Sequence, residues 1–258
     1  MSWNANGLLN HQQELQAILD INKLDTCLIS ETHFTKQSFI KFRGYKVYHT
    51  IHPGNAARGE NAIIFKENIY HNKEFKIEAK DNQAMALNIG TKKYDIVVAS
   101  LYSPPKHNIQ AESYVVLFRN MGNRFIIGGD FNAIHTHWGS RLKTAKGREL
   151  LKAINEYKCG AISRGKPTYW PTDTNKFREL MDFYIIGNIS SNFIQIKDNF
   201  ELISDHSPII LILSENIIQK PCNRVLVNKK TDWEGSRMTI DERIQLSVPI
   251  QTEEQLEF

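Results

Sequence analysis

The chain of 258 residues has little cysteine, few glycines and prolines, and no long apolar run. Its 3 cysteines lack any CxxC spacing, which argues against a disulfide framework or a structural zinc site and favours a reducing compartment. The 14 glycines and 8 prolines, beside 41% hydrophobic residues, exclude a collagen-like, low-complexity or disordered chain. Apolar runs such as residues 209–213 fall far short of the roughly 20 residues that cross a bilayer. We therefore expect no membrane span, and the polar start predicts no secretory signal.

Charge is distributed unevenly along the chain. The 32 Lys and Arg exceed the 28 Asp and Glu, which gives a formal charge of +4. Residues 215–258 carry a net charge of −2, so residues 1–214 carry +6. A basic globular part fits a polyanionic partner such as nucleic acid, although an excess of this size also occurs in proteins that bind none.

Short apolar runs alternate with stretches of helical period, which is typical of an α/β or α+β domain. Three stretches around Leu15, Tyr114 and Leu150 repeat apolar residues at i, i+3 and i+4 and predict amphipathic helices. After Ser214 no strand-like run could join the core. The sequence therefore predicts a domain of residues 1–214 and a linker or appendage of residues 215–258, cut from a longer chain. The clearest predicted strands lie at residues 26–29, 62–65, 96–99, 124–127, 183–186 and 208–213.

Polar side chains cluster at the ends of these predicted strands, where loops can converge above a rigid sheet. Each is weak evidence by itself, because a lone carboxylate is more often a helix cap or a solvated turn residue. Together they supply hard oxygen ligands for Mg²⁺, a candidate base and neutral phosphate donors, with no His and Cys at zinc spacings. The set predicts metal-assisted hydrolysis of a phosphate ester. Its members are Glu31, Tyr102, Asp130, Asn132, Asp182, Asp205 and His206.

Five ordered motifs resemble those of the endonuclease/exonuclease/phosphatase superfamily, and in particular the apurinic-type endonuclease domain of jockey-like non-LTR (LINE) retrotransposon polyproteins. The resemblance covers residues 3–213 almost continuously, and residues 231–249 resemble the connector that leads to reverse transcriptase in such polyproteins. It implies a DNase I-like, four-layered α/β sandwich of two mixed β-sheets flanked by helices. The motifs are residues 3–8 (WNANGL), 30–33 (SETH), 101–104 (LYSP), 128–132 (GGDFN) and 204–208 (SDHSP).

The resemblance implies a metal site and a water-activating group. Glu31 would bind Mg²⁺ directly, with Mn²⁺ as a substitute, helped by Asn4 and Asp205. Asp130 would orient or deprotonate the attacking water, and Asn132 would hold a phosphate oxygen. The resemblance leaves open whether one or two metals operate. It also leaves open whether Asp130 or His206 is the base.

The resemblance implies further contacts to the phosphate. His206, paired with Asp182, would donate a hydrogen bond or proton charge to the phosphate, because a carboxylate fixes the imidazole tautomer and raises its pKa. Tyr102 would contact the phosphate or the leaving oxygen. Thr168 could equally belong to an apolar edge that positions a loop. The residues with implied phosphate or backbone contacts are Asn6, Thr168 and Ser204.

The stretch after the fourth motif is rich in histidine and basic residues. His135 and His137 form an HxH pair that could bind a metal, but a surface loop near DNA, or a cap on the helix that begins near Ala145, is the preferred interpretation. Four nearby basic residues could form a stripe that contacts the DNA backbone, or a solvated basic face. These four are Arg141, Lys143, Lys146 and Arg148.

These observations predict a Mg²⁺-dependent endonuclease that nicks one strand of chromosomal DNA. The resulting 3′-OH would prime a linked reverse transcriptase that copies the element RNA. We expect a nuclear protein with a cytoplasmic ribonucleoprotein stage. Asp130 and His206 are expected in loops at the mouth of the site, so that their removal spares folding. The alternatives are a repair-type apurinic/apyrimidinic endonuclease or exonuclease, and a non-catalytic DNA-tethering module.

Overall fold

The protein was analysed as a computed structural model that describes residues 1–51, 59–78, 83–90, 95–106, 109–173, 175–197, 202–218, 232–235 and 237–238. The chain divides into two compact units, Met1–Ile218 and Gln219–Phe258. Residues 215–218, which were assigned to the linker, belong to the first unit. Most of the second unit lies outside the described residues, so its role as a linker stays a prediction. In the described ranges, no helix combines the length and apolar character of a membrane span.

The first unit contains twelve strands and three α-helices in the described residues. The helices are α1 Gln12–Asn22, α2 Ala111–Met121 and α3 Ala145–Tyr157. The strands are β1 Ser2–Asn4, β2 Thr26–Ser30, β3 Tyr45–His49, β4 Ala62–Lys66, β5 His71–Glu78, β6 Gln83–Gly90, β7 Asp95–Tyr102, β8 Phe125–Asp130, β9 Gly160–Ile162, β10 Asp182–Gly187, β11 Ile194–Lys197 and β12 Ile210–Leu213.

Two mixed sheets and their covering helices form four layers, as the resemblance predicted. One sheet has the order β1-β2-β4-β3, with β1 parallel to β2. The other has the order β5-β6-β7-β8-β10-β9, with β7 parallel to β8. A separate ribbon of β11 and β12 adds two antiparallel strands. All six predicted strands and all three predicted helices are present.

Strand periodicity assigns alternate side chains to different layers of the core. On β8, Phe125 and Ile127 pack with α2 and α3, whereas Ile126 packs between the two sheets. On β2, Ile29 faces α1 and Leu28 faces the other sheet. This alternation with period two explains why both faces of these strands are apolar. The two parallel pairs also bring the carboxyl ends of β1, β2, β7 and β8 toward one edge.

A close approach between β7 and β8 requires a residue without a side chain. A Cβ added to Gly129 would lie 1.8 Å from the carbonyl oxygen of Leu101. The backbone of a central strand cannot move away without breaking its ladder. Gly129 therefore allows β8 to deliver the residue that follows it, Asp130, to the sheet edge.

Substitution of this glycine tests the packing. We expect Gly129→Ala to lower the free energy of unfolding by about 3 kcal/mol, because the added methyl meets backbone atoms. Gly160→Ala is the matched control on β9, since its Cβ would lie 3.5 Å from the Ile186 side chain, an ordinary contact. Urea denaturation of both variants measures the difference. Equal stability of the two variants would contradict the assigned register.

Candidate active site

The candidate active site lies at the edge where strands of both sheets end. Asn4 and Ser30 are register partners on β1 and β2, and Glu31 follows directly. Tyr102 and Asp130 are partners on β7 and β8. Asp182 begins β10 opposite Asp130. Side chains separated by more than 170 residues therefore meet at one place.

Asp130 is the last residue of β8 and is 1% exposed. Its Oδ1 accepts a hydrogen bond from the Asn132 backbone amide at 2.9 Å. Its Oδ2 accepts from Asn132 Nδ2 at 2.8 Å and from Asn4 Nδ2 at 3.0 Å. The expectation of a loop position at the site mouth was therefore wrong for Asp130. A strand end holds this carboxylate more rigidly than a loop would, because three donors fix both of its oxygens.

His206 and Asp182 form a buried pair. His206 Nδ1 lies 2.7 Å from Asp182 Oδ2, and the two side chains are 6% and 0% exposed. The His206 backbone forms a bridge with Tyr169, and its carbonyl accepts from Trp3 Nε1 at 3.1 Å. His206 lies in the connection between β11 and β12, as expected, but its side chain is buried and its backbone is held by these contacts. The predicted pairing of His206 with Asp182 is present in the structure.

Charges within the site shift two pKa values strongly. Burial first, and then the nearby carboxylates of Asp182 and Glu31, raise the pKa of Asp130 to about 7 against the opposing effect of His206. Burial alone would lower the pKa of His206, but the charge and hydrogen bond of Asp182 dominate and raise it to about 10. At neutral pH the site therefore holds an imidazolium beside crowded carboxylates.

Glu31 and Tyr102 form the opposite side of the site. The Tyr102 hydroxyl shares a hydrogen bond with Glu31, and burial, followed by the charges of Glu31 and Asp130, raises its pKa. Tyr102 therefore stays protonated and can act as a donor. Its ring lies against Gly59, where a Cβ would meet the ring at 2.2 Å. His33 Nε2 lies 3.8 Å from Glu31 Oε2.

A group of short polar side chains joins the start and the end of the first unit. Asn6 Nδ2 donates to Asp205 Oδ1 at 3.4 Å. Ser204 Oγ donates to the Asn4 carbonyl at 2.9 Å and accepts from the His206 amide at 3.2 Å. Ser204 thus makes backbone contacts, one of the two roles implied for it. The placement brings Asn4 and Asp205 into one cluster with Asn6.

Thr168 lies behind the site. It is fully buried, and its Oγ1 accepts from the backbone amides of Met181 and Asp182, both at 3.0 Å. These bonds position the start of β10 and hence the Asp182 carboxylate. The structure therefore gives Thr168 backbone contacts, and its phosphate contact stays a prediction.

Three of the four basic residues after the fourth motif are exposed, and one is not. Arg141 lies 3.4 Å from Glu179 and 4.3 Å from the centre of the Phe177 ring, and the Arg148 guanidinium donates to the Lys143 carbonyl. The assignment of Lys146 to the same stripe was wrong. Its Nζ is buried and donates to the carbonyls of residues 103 and 104, both at 2.8 Å, because the first turn of α3 points this side chain inward. Burial lowers its pKa to about 8.

The HxH pair was expected on a surface loop or as a cap on α3, and His135 does neither. His135 is buried, and its Nδ1 accepts from the His137 backbone amide at 3.0 Å, capping a short 3₁₀ turn, Thr136–Trp138. The cap on α3 is supplied by Thr144, whose hydroxyl accepts from Gly147 at 3.1 Å. An acceptor at Nδ1 is not available to a metal, so this nitrogen of His135 is not a ligand.

Asp130, Asp182 and His206 place ligand atoms within 4.8 Å of one another, a spacing compatible with a metal ion. His206 is protonated and bonded to Asp182 in this arrangement, so it acts as a charge partner. In the described part of the chain, no group donates a hydrogen bond to the buried Asp182 Oδ1. Unused acceptor capacity and excess negative charge therefore remain at the site.

The supporting roles of two residues were not recognised from the sequence. Ser30 joins strand ends of both sheets, and Lys146 holds the turn after Tyr102. For Ser30 the only available signal was a polar residue at the end of an apolar strand. Such a residue can equally be a solvated strand end, so the signal does not identify its partner.

Comparison with known proteins agrees with this geometry. A family model described as endonuclease-reverse transcriptase matches residues 96–210. The RNA-directed DNA polymerase from mobile element jockey of Drosophila melanogaster is 31% identical over 219 residues, which are 85% of this chain and 24% of that protein. The corresponding protein of Drosophila funebris is 29% identical over 249 residues, 96% of this chain and 27% of that protein. The chain thus spans about a quarter of the length of these relatives.

Solved structures show the same fold. The endonuclease domain of TRAS1, a telomere-specific non-LTR retrotransposon, has a TM-score of 0.64 and 22% identity and covers 82% of this chain and 97% of that domain. The AP endonuclease LMAP from Leishmania major has a TM-score of 0.64 and 11% identity and covers 83% of this chain and 87% of that chain.

The fold is that of endonuclease-type hydrolases, and acidic groups meet at the ends of its strands. Residues 96–210 match the endonuclease-reverse transcriptase family model, and most of the chain is similar to the jockey mobile-element proteins. The resemblance found in the sequence motifs is therefore confirmed.

The charge state of His206 gives a direct test of the site. We expect its imidazole to stay protonated up to about pH 8.5, which is about two units above the pKa of a free histidine. In Asp182→Asn we expect the His206 pKa to fall, because burial lowers it and the largest opposing effects, the charge and hydrogen bond of Asp182, are lost, which leaves only the smaller effects of Asp130 and Asp205 to raise it. His49 is the internal control, since burial and then Lys76 lower its pKa. Histidine NMR titration in EDTA measures the His206 pKa in the parent protein and in Asp182→Asn.

The same pair has a consequence for stability. The folded-state pKa of His206 lies above its unfolded value. The pair therefore stabilises the folded protein fully below pH 6.5, and this stabilisation is lost as pH rises through about 10. Ordinary titration of His206 near pH 6.5 in the parent protein would show that the buried ion pair does not form.

Proposed function

We propose that this chain is a divalent-metal-dependent DNA endonuclease that nicks one strand of chromosomal DNA. The observation that carries the proposal is the meeting of carboxylates with a single buried imidazolium at one sheet edge. Asp130 and Asp182 lie beside His206, and the charge of Glu31 acts on Asp130. Such a set can stabilise the charge of a phosphodiester while activating water.

The donor chemistry fits a hard divalent cation such as Mg²⁺, with Mn²⁺ as a substitute. Carboxylate and amide oxygens are the ligands that these ions prefer. Glu31, together with Asn4 and Asp205, would hold the ion. When bound, it would offset the negative charge that develops on the phosphate. The raised pKa of Asp130 supports this assignment, because crowded carboxylates favour a nearby cation.

The side chains at the site have separate roles in the reaction. Asp130, as a carboxylate, accepts the proton of the attacking water. His206 uses Nδ1 for Asp182, so its Nε2–H is left to donate to a phosphate oxygen. The protonated Tyr102 hydroxyl and the Asn132 amide supply neutral donors for the phosphate or the leaving oxygen.

The place of this reaction in a larger process follows from the relatives. Two of them are named RNA-directed DNA polymerases from a mobile element, and this chain matches about a quarter of each. A nick leaves a 3′-OH, which is the primer that a linked reverse transcriptase needs to copy element RNA. The domain would then act in the nucleus, after a cytoplasmic ribonucleoprotein stage. A repair-type enzyme would instead require an abasic site in the DNA.

Plasmid nicking tests the activity. We expect the parent protein to convert undamaged supercoiled DNA to open circles with Mg²⁺ or Mn²⁺ and to be inactive in EDTA. Asp130→Asn and His206→Gln should each slow nicking at least about 10²-fold, the low end for losing an acid–base or electrostatic contribution. The double variant should lose much less than the product, because residues that act as one unit are not additive.

Asp20→Asn is the control, since Asp20 lies on α1 in a surface pair with Arg43. Its rate should match that of the parent. Thermal midpoints of all variants show whether lost activity reflects unfolding. Cleavage of abasic DNA alone would indicate the repair-type alternative, and DNA binding without cleavage by the parent would indicate a tethering module.

Salt dependence tests the proposed DNA partner. We expect Arg148→Ala and Lys143→Ala each to weaken binding similarly for different duplex sequences and to reduce the salt slope by about 1, because each removes one phosphate contact. Lys23→Ala is the control, since Lys23 precedes β2 and lies at the opposite end of that strand from Glu31. Fluorescence anisotropy at several salt concentrations measures the slopes. Unchanged slopes would show that these residues do not contact the DNA backbone and form a solvated basic face instead.

A further inference from the structure

Two fully buried serines join the sheets beneath the site. Ser30 Oγ on β2 donates to the Leu101 carbonyl on β7 at 3.1 Å. Ser100 Oγ on β7 donates in return to the Ile29 carbonyl on β2 at 2.9 Å. Elsewhere the same strand faces meet through apolar contacts such as those of Leu28. Apolar contacts have no direction, whereas hydrogen bonds fix a donor to one acceptor.

The two serines differ in what else they hold. Ser30 Oγ also accepts from the backbone amide of Asp130 at 3.3 Å. It therefore contacts three strand ends, since Ser30 precedes Glu31 and Leu101 precedes Tyr102. Ser100 Oγ has Asn61 Oδ1 as its other partner, at 3.4 Å. The Ser100 hydroxyl thus joins the sheets without a bond to a site residue.

We infer that Ser30 is a positioning residue that sets the distance between the metal-binding side of the site and the water-activating side. Glu31 belongs to one sheet and Asp130 and Tyr102 to the other, so their separation depends on how the two sheets are aligned. The Ser30 hydroxyl fixes that alignment directly at the residues concerned. This inference rests on the proposed endonuclease function for its catalytic consequence.

The effect on metal binding can be measured without catalysis. The probe is MgCl₂ alone, titrated against the thermal midpoint of the full chain. We expect Ser30→Ala to weaken apparent Mg²⁺ affinity about tenfold, since a misplaced ligand set loses part of its binding energy. Ser100→Ala, the matched control, should lose thermal stability but keep its Mg²⁺ affinity within about twofold, because additivity holds where no partner is shared.

Nicking kinetics give a second readout. At saturating Mg²⁺, Ser30→Ala should lower kcat about tenfold with KM for DNA nearly unchanged, the result expected when a transition-state contact is misplaced. Ser30→Thr keeps the hydroxyl and should recover both the affinity and the rate to within about threefold of the parent, since overpacking by one methyl is partly accommodated. If Ser30→Ala does not fold, Ser30→Cys, which is close in size but a weak donor, takes its place with the same expected losses.

A Ser30→Ala protein with lower stability but parental Mg²⁺ affinity and kcat would overturn the inference, and so would equal loss of affinity in Ser100→Ala. Failure of the proposed function is distinct from both. It would show as a parent protein that does not nick DNA, whereas the Mg²⁺ titration would still report whether Ser30 positions the ligands.

Discussion

The buried ion pair between His206 and Asp182 is the interaction on which the arrangement of the site depends. Their atoms lie 2.7 Å apart with almost no exposure, so neither charge is satisfied by water. Removing one partner from such a pair leaves the other buried and unpaired, which costs about 3–5 kcal/mol. The rest of the site is built around this constraint. Thr168 fixes the start of β10 through the Asp182 amide, and Trp3 holds the His206 carbonyl.

Negative charge is concentrated at this edge because strands from two sheets end there. One imidazolium offsets only part of it, and the raised pKa of Asp130 reflects first its burial and then the neighbouring carboxylates. A fold that crowds carboxylates in this way loses stability in the absence of a counter-ion, which is the usual cost of a prepared site. The hydrogen bonds from Asn4 and Asn132 hold the Asp130 carboxylate in place despite this repulsion.

Support for the site comes from residues with no reactive role. Gly129 permits the close approach of β7 and β8, and Lys146 holds the turn after Tyr102 from the first turn of α3. Ser30 links the sheets directly beneath the site. Each acts through backbone atoms of a neighbouring strand or turn. The precision of the site therefore depends on contacts between elements that are distant in the chain.

The sequence by itself determined the alternation of strands and helices, the family resemblance and the identity of the groups at the site, because period-two patterns and ordered motifs are local. It did not determine that Asp130 is buried at a strand end, nor that Lys146 turns inward. It also left the partners of Ser30 and six of the twelve strands unrecognised, namely β1, β3, β5, β6, β9 and β11. Burial and hydrogen-bond partners depend on which remote segments pack together: Ser30 meets a carbonyl 71 residues away and an amide 100 residues away. Only the tertiary structure decides such pairings, since a polar side chain within a strand can face water or another sheet with the same local sequence.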